Sequence, residues 1–330
     1  MRSPMRAMML SALLLATMLT VVGCRDTRTR TTASGGKGDT PAARLHWAAR
    51  NGDLKSAQSL IAGGCDVDAR DKDGGTPLTT AAAFDQAQVV ALLISRGADV
   101  NANSLTGSDV LQAAHSADVA RLLIDAGAQV RAGHLHEAAW YERKDVVELL
   151  LARGVQIDPS AARDNERLLC FAVRNGFRDL TEKLLDAGTD ANTKDIKHGG
   201  SALVNAVECA DKEMAKLLIA HGADVNTGGD HGQSPLYYAA SYNKDVIELL
   251  LARGANTNAG PILHNAVARG DREIVRLFLA HGADTSVRDA DGKTPLDLAT
   301  DIGDTAMAEL LRKHGAVSGA GGSPESASRQ

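Results

Sequence analysis

Histidines, cysteines and carboxylates are the side chains that could do chemistry in this chain, and their spacing decides whether they do. His136-Glu137-Ala138-Ala139-Trp140 opens as a zinc-hydrolase helix would, with a histidine to hold the metal and a glutamate to activate its water. That chemistry needs a second histidine one helical turn on, and Trp140 stands there instead. His134 and His136 could form a metal pair, but two ligands fall short of the three or four that a zinc site takes. His115, His198 and His231 are dispersed, and no Gly-rich loop leads into a Lys-Ser or Lys-Thr pair that would cradle a phosphate. No nucleophile, base and metal set assembles, so the expectation is a protein that is not an enzyme and carries no cofactor and no metal.

The elements that position these residues begin with an address. Arg2 and Arg6 precede an uncharged apolar stretch, Met8 to Val22, too short for a comfortable membrane span of about 20 residues. It ends in Val21-Val22-Gly23-Cys24, which resembles the lipobox of bacterial lipoprotein signal peptides. The resemblance implies cleavage before Cys24 and acyl chains on that residue, two or more of which make a stable anchor. An ordinary cleaved signal with a chance cysteine is the alternative. Residues 1–23 are therefore read as the signal peptide and 24–42 as the lipidated cysteine and a flexible polar tether. Arg25, not the Asp that retains some such proteins at the inner membrane, follows Cys24, which favours the outer membrane and a periplasm-facing location.

Net charge is −5, and −7 once residues 1–23 with Arg2 and Arg6 are removed. That balance argues against nucleic acid, whose phosphates call for clustered Lys and Arg. Aromatics make up only 3% of the chain, fewer than a globular core of this length would use. Small apolar residues with many glycines suit thin, close-packed helical layers.

A repeat accounts for that composition. Apolar anchors fall at Leu45, Leu78, Val110, Leu135, Leu169, Leu203, Leu236, Leu263 and Leu296, at intervals of 33, 32, 25, 34, 34, 33, 27 and 33 residues. Most anchors are followed by paired alanines, then an apolar pair such as Leu92-Leu93 or Leu249-Leu250, then a phrase such as Gly97-Ala98-Asp99-Val100-Asn101. With Gly75-Thr76-Pro77-Leu78, Ser234-Pro235-Leu236 and Lys293-Thr294-Pro295-Leu296, this unit resembles the ankyrin repeat family over residues 43–316. The resemblance implies an all-α solenoid of about nine helix-turn-helix units with short β-hairpin fingers, and the Gly/Ser composition of 317–330 predicts a disordered tail.

Each part of the unit has a mechanical reason. Thr76 and Thr294 can cap helices that start at Pro77 and Pro295. Paired alanines let neighbouring first helices approach, and Leu and Val at helical spacing bury one face of the second helix. Gly97, Gly127, Gly154, Gly188, Gly222, Gly254 and Gly282 stand where a helix ends in left-handed backbone. Asp71-Lys72-Asp73-Gly74 and Asp289-Ala290-Asp291-Gly292 read as finger tips. The intervals of 25 and 27 residues leave no room for a finger, so tight turns are expected at Gln129–Gly133 and Asn256–Pro261. Polar Ser56, Gln58 and Ser59 suit an N-terminal capping helix, and Arg312 and Lys313 suit a C-terminal one.

Most histidines are absorbed by the repeat. His46, His136 and His264 follow an anchor, where they can bond locally around the helix start, while His221, His281 and His314 sit near the negative end of a second helix. Cys65 replaces the alanine of a Gly-Ala-Asp phrase. Cys170 and Cys209, one and six residues past their anchors, should sit at opposite ends of neighbouring helices, which argues against a bridge.

In ankyrin-like proteins the contact surface is the finger tips and the exposed face of the first helices. The resemblance carries that role to the positions after the paired alanines, here including Arg50, Phe84, His115, Trp140, Tyr141, Arg174, Asn175, Tyr242 and Arg269. Trp, Tyr and Arg are enriched at interface hot spots. The other reading of Trp140 and Tyr141 is that they cover the gap left by the missing finger beside them. The functional expectation is a monomeric, membrane-anchored adaptor or scaffold that binds a protein partner in its concave groove. An immunity or inhibitor protein that blocks a toxin or enzyme is the alternative, and a periplasmic enzyme the remote one.

Overall fold

The computed structural model describes residues 40–319 except 106, 198, 230–232 and 241–243. The signal segment, Cys24, His198, His231 and Tyr242 lie outside the described residues. Within them the chain forms nine helix-turn-helix pairs. The first helices are α1 (Pro41–Asn51), α3 (Pro77–Ala83), α5 (Val110–Ala113), α7 (Ala132–Trp140), α9 (Ala162–Arg174), α11 (Ala202–Glu208), α13 (Pro235–Ala239), α15 (Ile262–Ala268) and α17 (Pro295–Asp301). Their partners are α2 (Leu54–Ala62), α4 (Ala87–Ser95), α6 (Ala117–Asp125), α8 (Lys144–Ala152), α10 (Arg178–Asp186), α12 (Lys212–Ala220), α14 (Lys244–Ala252), α16 (Arg272–Ala280) and α18 (Thr305–Lys313). Helix α1 begins inside the stretch read as tether, and Val317 to Gly319 of the expected tail fold back onto α17. There the Asp297 carboxylate accepts from the Ser318 hydroxyl at 2.6 Å.

Local chemistry makes these helices. Thr76 accepts the Thr79 N–H at 3.2 Å and Thr294 the Asp297 N–H at 3.2 Å, with Pro77 and Pro295 in the first turn. A cap of this kind contributes about 1 kcal/mol. The seven glycines expected at helix ends all have φ between 76° and 97°. Ala48, Ala49, Ala81 and Ala82 are fully buried, so successive first helices pack backbone-close. Leu93, Leu150 and Leu250 fill the second layer. In α2 the one fully buried residue is Ala57, as its polar sequence predicts.

The fingers are slight. Those at 71–75 and 289–293 close through backbone bonds such as Asp71 N to Gly75 O at 2.9 Å, while Asn103 pairs with Asp109, Lys194 with Ser201, and Gly229 N donates to Gln233 O at 2.7 Å. Tight turns replace them at 129–133 and 256–261, as the short intervals predict. One further finger is absent, at 155–161, where the interval of 34 left room for it. That stretch lacks the Gly-x-Thr-Pro start signal, and Ala162 to Arg167 extend α9 upstream to 13 residues. Two consecutive gaps therefore open the rim between the fingers at 103–109 and 194–201.

Buried side chains take over the missing fingers' work. Asp109 caps α5 and also accepts from His134 Nε2 at 2.9 Å, across to the start of α7. His134 Nδ1 accepts the Arg131 N–H at 2.9 Å, which fixes the neutral tautomer with its proton on Nε2. His136 Nε2 lies 2.9 Å from Asn165 Oδ1, and Asn165 donates to the Asp158 carbonyl at 2.8 Å. His134 and His136 thus serve different partners and share no site. The expectation that histidines after an anchor bond locally is corrected: His46 reaches Thr80 at 3.0 Å and the Ala69 carbonyl at 2.8 Å, and His264 reaches the Lys293 carbonyl at 2.8 Å. Their position on the helix faces the next repeat. His221, His281 and His314 do close the last helical turn, each within 3.0 Å of the carbonyl four residues back. Cys65, Cys170 and Cys209 are free thiols, and burial pushes that of Cys170 up to about 12.

Two stability measurements follow. Ala210 holds a left-handed φ of 56° where Gly52, Gly176, Gly270 and Gly303 make the same turn. Ala210→Gly should raise the urea unfolding free energy by about 1 kcal/mol, and no gain would mean the turn is unstrained. His134→Ala leaves the buried Asp109 carboxylate short of a donor and should cost about 2–3 kcal/mol. Burial alone would raise the Asp109 pKa, but hydrogen bonds from His134 and the Gln112 N–H outweigh it and hold the value below the ordinary one. The contribution is therefore complete above the usual carboxylate range and lost as pH falls through the lowered folded value. The His134→Ala penalty should shrink in acid, and a penalty independent of pH would assign it to packing.

Candidate protein-binding groove

The exposed ends of the first helices line one side of the solenoid, and aromatic rings there are held by cations. Arg50 stacks over Phe84, with Cζ 4.5 Å from the ring centroid. At the start of α8, Arg143 lies 4.8 Å from the Tyr141 centroid while donating to the carbonyls of Ala114 and Gln112 at 2.8 and 3.1 Å. Trp140 has Arg167 at 4.7 Å and Lys197 at 5.0 Å from its centroid. The Lys197 ammonium also donates to the Trp140 carbonyl and lies 3.7 Å from Glu142. Phe84, Trp140 and Tyr141 stay 44%, 39% and 45% exposed, so the cations orient the rings without covering them.

The remaining expected contact residues divide by what they touch. His115 Nδ1 donates to the Ala113 carbonyl at 2.8 Å, leaving Nε2 to face the Arg143 guanidinium at 3.4 Å. Burial, and then the Arg143 charge, push its pKa down, so the ring is neutral at pH 7. Arg174 is clamped in the chain itself: it donates to Glu142 at 2.8 Å and to the buried Asp195 of the next finger. Asn175 donates to the Phe171 carbonyl at 3.0 Å and closes the last turn of α9. Arg269 is exposed at the end of α15, distant in sequence from the aromatic group.

The structure brings Trp140 and Tyr141 together at the floor of the window left by the two missing fingers. A notch of about 280 Å³ opens there, walled by His136, Glu137, Trp140, Tyr141, Asp164 and Arg167. Burial raises the Glu137 carboxyl above its ordinary value, with the Arg143 charge partly offsetting it. Arg143, Arg167 and Lys197 were not singled out from the sequence. Arg167 lies in the extra helix that replaces a finger, and Lys197 reaches back 57 residues from a finger tip, so no short spacing marks either. Beside Lys197, Ile196 is 77% exposed and adds an apolar tip to the window's edge.

Comparison with known proteins agrees with this architecture. The family described as ankyrin repeats (3 copies) matches residues 45–134 and 169–261, and ankyrin repeats (many copies) match 249–299. The chain is 29% identical to the B-cell lymphoma 3 protein homolog of Mus musculus over 273 residues, 77% of this chain and 54% of that protein. It is 35% identical over 145 residues to an ankyrin repeat-containing protein of Treponema pallidum (strain Nichols), 44% of this chain and 39% of that one. It is also 27% identical to the E3 ubiquitin-protein ligase KEG of Arabidopsis thaliana, covering 82% of this chain and only 18% of the ligase. The chain spans about half or less of these relatives, and their names differ widely while the repeat region is shared. Ankyrin repeats are protein–protein interaction modules, and this chain belongs to the ankyrin repeat family.

Proposed function

We propose that this protein is a lipid-anchored, extracytoplasmic adaptor that holds a protein partner along its concave groove, centred on Trp140 and Tyr141. The observation that carries the reading is the window itself. Two fingers are missing in succession, and the floor so uncovered presents two aromatic side chains already fixed by Arg143, Arg167 and Lys197. Rings that only filled a gap would be buried, whereas these remain close to half exposed. Rigid aromatics lose little side-chain freedom on binding, which is how hot spots gain affinity. Nine stacked layers at roughly 8–10 Å each give a groove on the order of 80 Å, room for an interface of ordinary size.

The anchor rests on Val21-Val22-Gly23-Cys24 behind an apolar segment, and the outer-membrane location on Arg25. Mass spectrometry of the N-terminal peptide should find diacylglycerol and acyl chains on Cys24, and an unmodified thiol would remove the anchor. Crosslinked co-purification from the native envelope tests the groove, with wild type beside a Phe84→Ala, Trp140→Ala, Tyr141→Ala variant of unchanged circular dichroism. One captured protein should be lost from the variant, with affinity reduced by about 30-fold or more if even one ring is a hot spot. Equal capture by both proteins would place the contact elsewhere.

A further inference from the structure

Among the described residues no repeat packs against the outer side of the first one, and that face has a chemistry of its own. The position two residues after each anchor points toward the preceding repeat; Thr80, for example, meets His46 of the repeat before it. At Thr80, Gln112, Glu137, Phe171, Asn205, Tyr238, Asn265 and Leu298 this position is at least partly buried. In the first repeat it is Trp47, which is 59% exposed, more than any other aromatic side chain among the described residues. Trp47 stands in an open groove of about 850 Å³ with Ala43, Arg44, Lys55, Ser59 and Leu60. Helices α1 and α2 carry Arg44, Arg50 and Lys55 and no carboxylate, in a chain whose net charge is −5.

We propose that this N-terminal end face docks on the anionic bilayer that carries the lipid anchor, with Trp47 in the headgroup layer and Arg44 and Lys55 against lipid phosphates. The proposal rests on the reading of Cys24 as the lipidated residue. Sixteen residues from Cys24 to Thr40 span at most about 55 Å even when fully extended, so the end face is always within reach of that bilayer. The chemistry of the face selects a membrane surface over another protein repeat. In the later repeats this position packs against a preceding repeat, whereas here it holds an open indole with Arg44, Lys55, Ser56 and Ser59 around it, beside Ala43 and Leu60. Indoles prefer the membrane–water interface, and basic side chains beside them are drawn to anionic headgroups. Docked this way, the solenoid stands on its first repeat and lifts the Trp140 window away from the lipid.

The chain has two tryptophans, so Trp140→Phe leaves Trp47 as the sole indole reporter. The lipidated full-length variant is placed in vesicles of phosphatidylethanolamine and phosphatidylglycerol, with and without bromine on the acyl chains near the headgroup. Trp47 emission should shift to the blue and lose at least about half its intensity to bromine, as an indole at the interface must. Arg44→Glu with Lys55→Glu, both at exposed positions, should abolish that quenching, and neutral phosphatidylcholine vesicles should weaken it. Emission unchanged by bromine in the anchored protein overturns the proposal. A blue shift without bromine quenching also overturns it, because a protein surface then covers Trp47. Failure of the anchor is separable: a chain from Cys24 onward, with Cys65→Ser and Cys209→Ser, can be coupled through Cys24 to a maleimide lipid. That puts the same tether on the same bilayer whether or not cells acylate Cys24.

Discussion

The fold depends on one contact, the approach of each first helix to the next across paired alanines. A single helix pair of this size has an apolar stripe on both sides and nothing to bury it against, so stability arrives only by stacking. Ala48, Ala49, Ala81 and Ala82 are small enough to bring helices together with almost no solvent-accessible surface left on them. Larger side chains there would overpack the layer at a cost of about 1–3 kcal/mol each. Because the stacking contact is satisfied by backbone proximity and a few leucines, the rest of each repeat's surface is released from structural duty. That freedom is what lets fingers be lost and aromatic residues gather where fewer than one residue in twenty is aromatic.

Losing a finger has a structural cost, and the chain answers it with long-range side-chain bonds. A finger ties one repeat to the next through its backbone. Where it is missing, Asp109 with His134 ties the third repeat to the fourth, and His136 with Asn165 ties the fourth to the fifth. Arg174 then links Glu142 in the fourth repeat to Asp195 in the finger beyond the fifth. These polar pairs need fixed geometry, so the window they frame is stiffer than a loop would make it. Within that frame Arg143 holds the ring of Tyr141, and Arg167 and Lys197 hold that of Trp140.

Periodicity made much of this readable in advance. Anchors, capping threonines, helix-ending glycines and the two shortened intervals each follow from local rules that act within one repeat. What escaped were contacts between repeats. The finger at 155–161 was lost in an interval of ordinary length, visible only in the absence of a start signal and in the helix formers that replace it. His46, His136 and His264 look like local helix-start residues in sequence, yet their partners lie 23 to 34 residues away. Arg174 reads as an exposed contact residue until Glu142 and Asp195 are placed on either side of it. Trp47 carried no signal at all, since the position it fills is at least partly buried in each of the later repeats.

The two ends of the array show how much their surroundings differ. At the C-terminal end, Asp297 accepts from Thr294, Ser318 and Gly319, and the chain closes over its own last first helix. Those bonds, the Ser318 hydroxyl foremost, hold the Asp297 carboxyl well below the usual carboxylate range. At the N-terminal end an indole stands in the open with basic side chains near it. A solenoid that met only water at both ends would gain from polar caps at both, since an exposed indole forgoes the burial that makes it worth keeping. The asymmetry is economical if the first repeat meets a surface that is neither water nor another repeat. On the proposed reading of Cys24 as lipidated, a bilayer surface offers acyl chain to the indole and phosphate to the cations, and the anchor keeps that surface near this end.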